Sequence, residues 1–274
     1  MNAFAIAAVL GVVEGLTEFL PVSSTGHLII AGHLLGFVGD KAGSFEVAIQ
    51  LGAILSVVWL YWHRFVGLVP GTAHFTLTAE STLNGWPGLW RIALATLPAL
   101  AVGYVARHGI KAQLFNPEAV TLALAVGGVA ILLVERLAAR QHANGLDAVT
   151  LMQALGVGLF QILALWPGTS RAAATIVGGM ILGLERKAAA EFSFLIAVPV
   201  LFAASGYELL KMHDQFVADD AISLVIGFAV SFVVALLAIK GFVSFLSRGK
   251  LAPFAWYRIV VAPIFYFLTR GSSL

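Results

Sequence analysis

The chain has 274 residues, of which 60% are hydrophobic and 11% are charged, and its mean hydropathy is +0.95. This composition excludes an ordinary soluble protein and predicts an integral membrane protein. The net charge of +2, with dispersed basic residues, argues against a nucleic-acid partner, and the lack of cysteine excludes disulfides, thiolate metal sites and cysteine nucleophiles.

The first predicted element is a broken helix. Residues 3–20 and 27–37 are apolar stretches that meet at Pro21. The opening stretch has neither a basic region nor a cleavage pattern, so we interpret it as part of the membrane domain rather than as a removable signal peptide. Irregular backbone at membrane depth needs protein or a wet cavity to satisfy its polar groups, so the break indicates an interior cavity.

Two carboxylates lie just before this break, in the motif EGLTEFLPVSSTGH. Glu14 and Glu18 are four residues apart and therefore share one helix face. An ionised side chain at the centre of a membrane helix costs on the order of 2.5 to 3.5 kcal/mol, so two of them require a partner. A structural pair near the headgroups is one interpretation, and a reaction or ion site is the other.

Three hydroxyl side chains and an imidazole follow Pro21. They belong to Ser23, Ser24, Thr25 and His27. Serine and threonine cap helix N-termini, and the free N–H groups at such an end bind anions. Capping explains one hydroxyl but not three followed by a histidine, which favours a reaction or ion site.

Six further apolar stretches are long enough, or nearly so, to cross a hydrocarbon core about 30 Å thick. In chain order they are residues 45–62, 91–106, 117–135, 191–210, 221–243 and 251–269. The first of them opens with Glu46 and Gln50, again four apart. These two side chains either extend the polar site or cap a helix near the interface, and the sequence leaves both interpretations open.

A second broken helix is predicted where residues 149–166 and 172–184 meet at Pro167. Its motif, PGTSRAAATI, offers the hydroxyls of Thr169 and Ser170 at a helix start, followed by Arg171. A guanidinium is a planar fork of donors suited to phosphate oxygens. Arg171 alternatively neutralises Glu14 or Glu18 in a structural ion pair.

The two breaks also correspond in sequence at an offset of 146 residues. This offset aligns Pro21 with Pro167, Ser23 with Thr169, and Ser24 with Ser170. Matching interruptions in two halves are expected for a site between internal repeats, and three intervening spans make the repeats inverted. We therefore predict an all-α polytopic membrane protein, a single domain over residues 1–274, with repeats at about 1–140 and 149–274 and a re-entrant helix hairpin in each.

Lysine and arginine in the loops predict the orientation. The richer side carries Arg64, Arg91, Arg136, Arg140, Arg186, Lys187, Arg248 and Lys250. The other side carries Lys41, Arg107, Lys111, Lys211 and Arg270. The richer side is predicted to be cytoplasmic, which places both termini and the mouth of the first hairpin on the extracytoplasmic side.

These motifs resemble those of the bacterial undecaprenyl-diphosphate phosphatases associated with bacitracin resistance. The resemblance rests on GVVEGLTEFLPVSSTGHLII, FEVAIQLGAIL, PGTSRAAATI and EFSFLIAVP, and the order of elements agrees over nearly the whole chain. One departure is that the family commonly has PGxSRSG, where this chain has Ala172 and Ala173 after Arg171. That departure leaves a hydroxyl role at position 172 without support.

The resemblance implies hydrolysis of a C55 polyprenyl diphosphate to the monophosphate in the bacterial cytoplasmic membrane, with a divalent cation such as Mg²⁺ or Ca²⁺. This reaction regenerates the lipid carrier for peptidoglycan synthesis, with an active site facing outward. The implied partners are the polyprenyl diphosphate and membrane lipids, and the sequence is compatible with a homodimer. An alternative is a transporter or flippase for an anionic lipid, because inverted broken-helix repeats occur in transporters.

Carried over onto this chain, the site residues are Glu14 and Glu18 for metal and water, Ser24 as nucleophile or phosphate ligand, and His27 as general acid or base. Arg171 and Ser170 are expected to clamp phosphate, with Ser23, Thr25 and Thr169 as further phosphate ligands. The residues do not distinguish attack by Ser24, by His27 or by water.

Overall fold

A computed structural model describes residues 1–72, 80–138, 144–211 and 221–271. The described residues are helical, without a named strand, which confirms the all-α prediction. The helices are α1 (Ala3–Thr17), α2 (Ser24–Leu35), α3 (Asp40–Leu60), α4 (Trp62–Leu68), α5 (Gly85–Leu114), α6 (Pro117–Ala138), α7 (Leu151–Ile162), α8 (Arg171–Ile181), α9 (Arg186–Lys211), α10 (Ala221–Leu246) and α11 (Ala252–Thr269).

Within these ranges, five helices are long and apolar enough to cross a membrane, namely α5, α6, α9, α10 and α11. The helices α3 and α4 are bent by 77° at Tyr61, and together they are apolar enough to count as one broken span. The five spans and this bent pair correspond to the six predicted stretches, and the chain is a multi-pass membrane protein. Large apolar side chains lie exposed on these helices, for example Val105 and Leu237, as expected of a surface that contacts lipid.

Both predicted helix breaks are present. In the first, α1 ends at Thr17 and α2 begins at Ser24. In the second, a 3₁₀ turn at Leu163–Leu165 follows α7, and α8 begins at Arg171. Each break ends on a serine with a left-handed backbone, with φ of 75° at Ser23 and 71° at Ser170.

These two serines show that the breaks correspond one residue away from the predicted alignment. The Ser23 hydroxyl accepts a hydrogen bond from the N–H of Gly26, and the Ser170 hydroxyl accepts one from the N–H of Ala173. Ser23 is therefore the counterpart of Ser170 rather than of Thr169, and Ser24 is the counterpart of Arg171. The offset of 146 residues instead pairs the two prolines, and the internal repeat stays a prediction.

The helices pack in a reciprocal pattern. The helix before the first break, α1, lies along α10, and the helix before the second break, α7, lies along α5. The last helix of each half also pairs with its counterpart, α6 with α11, and α3 packs against α9. Such an exchange of partners is what a two-fold relation between halves produces. The largest buried apolar cluster joins Phe19 of the first break to residues of α8 and α9, whereas α1 and α2 contribute to a second, smaller cluster.

Candidate active site

The two hairpins meet at Glu18. The Ser24 hydroxyl donates to Glu18 Oε2 at 2.6 Å, across the first break. The Arg171 guanidinium, on the second hairpin, donates from Nη2 to Glu18 Oε1 at 3.3 Å. Only 5% of the Glu18 side chain and 9% of the Arg171 side chain are exposed. One carboxylate therefore joins the hydroxyl of one hairpin to the guanidinium of the other inside the protein.

Arg171 is also held by α9. Its Nη1 donates to the backbone oxygen of Ser193 at 3.0 Å, and its guanidinium carbon lies 5.6 Å from the centre of the Phe19 ring. The Ser193 hydroxyl lies 2.6 Å from that of Thr175. Ser193 was not predicted as a site residue, although it lies in the motif EFSFLIAVP. The predicted ion pair with Glu18 is confirmed, whereas the phosphate role of Arg171 stays a prediction.

Glu14 is buried with no hydrogen-bond partner on either carboxylate oxygen. It lies one helical turn from Glu18, whose N–H donates to the Glu14 backbone oxygen, and it is within electrostatic range of Glu18, Glu46 and Arg171. A buried carboxylate without a partner is costly, so this position is suited to a bound cation. The described part of the chain contains no group of three or more His, Asp or Glu side chains arranged to hold a metal ion.

His27 lies at the start of α2, and its ring nitrogens bond groups other than the Ser24 hydroxyl. Its Nδ1 is 2.7 Å from the backbone oxygen of Ser23, and its Nε2 is 2.7 Å from the hydroxyl of Tyr257 on α11. A carbonyl oxygen can only accept, so Nδ1 carries the proton and, in the neutral ring, Nε2 accepts from the Tyr257 hydroxyl. Tyr257 was missed because no local pattern links it to His27.

The hydroxyls of Ser23 and Ser170 act as helix caps, and only 2% of Ser23 is exposed. Capping occupies the third amide of each helix and leaves the first amides of α2 and α8 without intrahelical acceptors. The two hairpins therefore present free N–H groups and the positive ends of two helix dipoles at the site, even though the Ser23 and Ser170 hydroxyls act as caps.

The remaining predicted residues lie farther apart. Thr25 and Glu46 line a cavity of about 220 Å³ between α2, α3 and the C-terminal ends of α5 and α11. Gln50 accepts a hydrogen bond from the Ser205 hydroxyl at 3.0 Å, and so links α3 to α9. The backbone oxygen of Thr169 accepts a hydrogen bond from Arg258, and Thr169 also borders an apolar cavity. Glu46 therefore shares a cavity with Thr25 and Gln50 joins two helices, while the part of either residue in the polar site stays a prediction.

Comparison with known families gives one match over nearly the whole chain. The model of the family described as "Bacitracin resistance protein BacA" matches residues 7–264. The matched region includes both helix breaks and the contacting residues Glu18, Ser24, Arg171 and Ser193.

Curated relatives cover almost the full length. A protein named "Undecaprenyl-diphosphatase" from Maridesulfovibrio salexigens is 54% identical over 97% of this chain and 99% of its own. Proteins of the same name are 56% identical in Solidesulfovibrio magneticus, over 95% of this chain and 96% of theirs, and 50% identical in Desulfovibrio desulfuricans, over 98% and 100%.

Proposed function

The chain belongs to the bacitracin resistance protein BacA family, and on this basis we propose that it hydrolyses undecaprenyl diphosphate to undecaprenyl phosphate and inorganic phosphate. The observation that carries this proposal is the buried unit in which Glu18 bonds both Ser24 and Arg171. A transporter needs an anion site but no hydroxyl paired with a carboxylate base, so this unit favours an enzyme over a flippase.

Ser24 and Glu18 have the geometry of a nucleophile and its general base. The distance of 2.6 Å between Ser24 Oγ and Glu18 Oε2 is within reach for proton transfer. In the proposed reaction the Ser24 oxygen attacks the terminal phosphorus while its proton passes to Glu18. The bond from that phosphorus to the bridging oxygen breaks, and Glu18 passes its proton to the departing undecaprenyl phosphate, so that Glu18 is again ionised. Water then attacks the phosphoserine phosphorus and gives a proton to Glu18. The bond from phosphorus to the Ser24 oxygen breaks, Glu18 returns the proton to that oxygen, and inorganic phosphate is released.

Arg171 and the helix N-termini supply positive charge for the diphosphate. The guanidinium fork matches phosphate oxygens, and its Nε is buried without a hydrogen-bond partner. The amides at the starts of α2 and α8 add donors aimed at the same region. Preorganised donors of this kind stabilise charge that develops in the transition state.

Glu14 and Glu18 are the residues that would hold a divalent cation. The fit rests on the two unpartnered oxygens of Glu14, since those of Glu18 already bond Ser24 and Arg171. A bound Mg²⁺ or Ca²⁺ would neutralise phosphate charge and polarise the phosphoryl group. In the same site, Glu46 lies close enough to Glu14 to strengthen the attraction for a cation.

His27 and Thr25, at the start of α2, are proposed to assist proton transfer and phosphate binding, and Thr25 lines the 220 Å³ cavity. His27 Nε2 and the Tyr257 hydroxyl form a path for a proton towards the surface, since 45% of Tyr257 is exposed. Thr25 is exposed beside Ser24 and is positioned as a phosphate ligand.

An apolar cavity suits the polyprenyl part of the substrate. It has a volume of about 440 Å³, lies between α6, α7 and α8, and reaches Thr169, two residues before Arg171. Its lining is almost entirely apolar and includes Leu122, Val126, Phe160 and Val177. A polyprenyl chain is matched by such a surface, whereas the charged headgroup is matched by the hydrogen-bond donors of the adjoining hairpins.

The proposed setting is the bacterial cytoplasmic membrane, with both termini and the cavity at Thr25 on the extracytoplasmic side. The loop charges support this orientation, and the reciprocal packing of α1 with α10 and α7 with α5 supports inverted repeats at about 1–140 and 149–274. There the reaction would recycle the carrier for peptidoglycan synthesis and confer bacitracin resistance. A homodimer stays a prediction.

Phosphate release by the purified protein tests the proposal. Undecaprenyl diphosphate in detergent should yield inorganic phosphate and the lipid monophosphate, and a chelator should abolish the release until Mg²⁺ or Ca²⁺ is restored. A sample without protein sets the background, and Ser24→Ala is expected to release little more phosphate than that background. No release by the well-folded wild-type protein with either cation would refute the proposed activity.

A further inference from the structure

Arg258 on α11 is completely buried and binds backbone oxygens of three separate segments. Its Nε donates to Leu124, its Nη1 to Pro21 and Thr169, and its Nη2 to Ala123 and Gly168, at 2.9 to 3.2 Å. Three of these acceptors belong to the two helix breaks, and the other two belong to α6. A single guanidinium therefore contacts both hairpins and the helix beside them.

The breaks explain why a permanent charge is tolerated there. Where a helix is interrupted at membrane depth, its last carbonyl groups lose their intrahelical donors and need others. Arg258 supplies donors to Pro21 in the first break and to Gly168 and Thr169 in the second. A guanidinium offers five N–H groups in a rigid fork, so it can reach both breaks at once, which an ammonium on a flexible stem cannot.

We propose that Arg258 is a positioning residue that joins the two breaks and sets the distance between Ser24 and Arg171. Pro21 lies three residues before Ser24, and Thr169 lies two residues before Arg171, so the bonded oxygens are next to the proposed reacting groups. The effect on turnover rests on the proposed phosphatase activity, whereas the joint between the hairpins does not.

Gly127 on α6 offers a way to disturb this guanidinium without removing it. A Cβ atom at Gly127 would lie 2.2 Å from Arg258 Nη2, so Gly127→Ala must displace the guanidinium. The neighbouring Gly128 is the matched control. A Cβ atom there would meet Ile259 at 2.8 Å and the Ala255 oxygen at 2.9 Å on the same helix α11, and it would approach Arg258 only at its Cβ, at 3.4 Å, away from the guanidinium.

The first measurement is phosphate release by Arg258→Lys, Gly127→Ala and Gly128→Ala, with the melting temperature of each in detergent. A displacement of about 1 Å between reacting groups costs on the order of 10²-fold in rate. We expect kcat to fall by about that factor in the first two variants, with KM little changed, and to fall much less in Gly128→Ala at a comparable melting temperature. Equal losses in the two glycine variants would overturn the proposal.

The second measurement reports the joint directly. The chain has no native cysteine, so a spin label reacts only with the cysteines that are introduced. We place them at Leu34→Cys on α2 and Ile181→Cys on α8, two exposed positions. We expect one narrow distance distribution with Arg258 intact and a shifted or broadened one with Arg258→Lys or Gly127→Ala. An unchanged distribution would overturn the proposal even if activity falls. An inactive wild-type protein would refute the phosphatase activity and leave this distance test valid.

Discussion

Glu18→Gln is the substitution that separates chemistry from folding most clearly. Glutamine keeps the size of the side chain but replaces one acceptor by a donor. Arg171 can only donate, so the glutamine oxygen must face it, and the glutamine NH₂ must then face Ser24 Oγ. The Ser24 hydroxyl is forced to accept, and its proton loses the base that lies 2.6 Å away in the wild-type protein.

The structure sets the expected effect of Glu18→Gln on the free energy of unfolding and, separately, on turnover. Removing one partner of a buried ion pair costs about 3 to 5 kcal/mol, but Arg171 keeps its bond to the Ser193 oxygen at 3.0 Å and Gln retains one acceptor. We therefore expect the free energy of unfolding to fall by about 1.5 to 3 kcal/mol, as for a lost hydrogen bond to a charged group. Turnover should fall by about 10²-fold to 10⁴-fold because a general base is lost.

Glu135→Gln is the matched control. Glu135 is a buried carboxylate on α6 that accepts from Arg186 and from the N–H of Leu251, so it resembles Glu18 in burial and in bonding an arginine. It lies outside the cluster around Ser24. We expect a similar drop in melting temperature with near-normal phosphate release, measured on the same detergent preparations. If Glu18→Gln retains near-normal turnover, or if both variants lose turnover equally, the assignment of Glu18 as base is wrong.

Two further outcomes follow from the arrangement of the hairpins. Arg171→Lys should greatly reduce phosphate release because a point charge replaces the forked guanidinium. Combining it with Ser24→Ala should reduce turnover much less than the product of the two single losses, since both residues act through Glu18. Multiplicative losses above the assay background would show that the two residues act at independent sites. In intact cells, Val38→Cys should react with an impermeant thiol reagent, while Glu185→Cys should not. Both positions are exposed, and they are predicted to lie on opposite sides of the membrane. The reverse labelling pattern would contradict the proposed orientation.

Much of the fold was predictable because hydropathy acts locally. A span must be apolar over its own length, so six stretches could be located without knowledge of their neighbours. The breaks were predictable for a related reason. Proline and clustered hydroxyls at Pro21 and Pro167 interrupt a helix wherever it lies. Glu14, Glu18 and Arg171 could then be identified as candidate site residues, because a charged side chain is costly within an apolar membrane segment and needs a partner.

The tertiary structure alone decided which groups touch. That Glu18 bonds Arg171, that His27 bonds Tyr257 rather than Ser24, and that Arg258 holds both breaks all depend on helices far apart in sequence. Such contacts leave no periodic signal, because a side chain buried by a distant helix has the same local sequence as one that faces lipid. Composition and spacing therefore determine which buried polar side chains need a hydrogen-bond or ion-pair partner, whereas packing determines which partner each of them has.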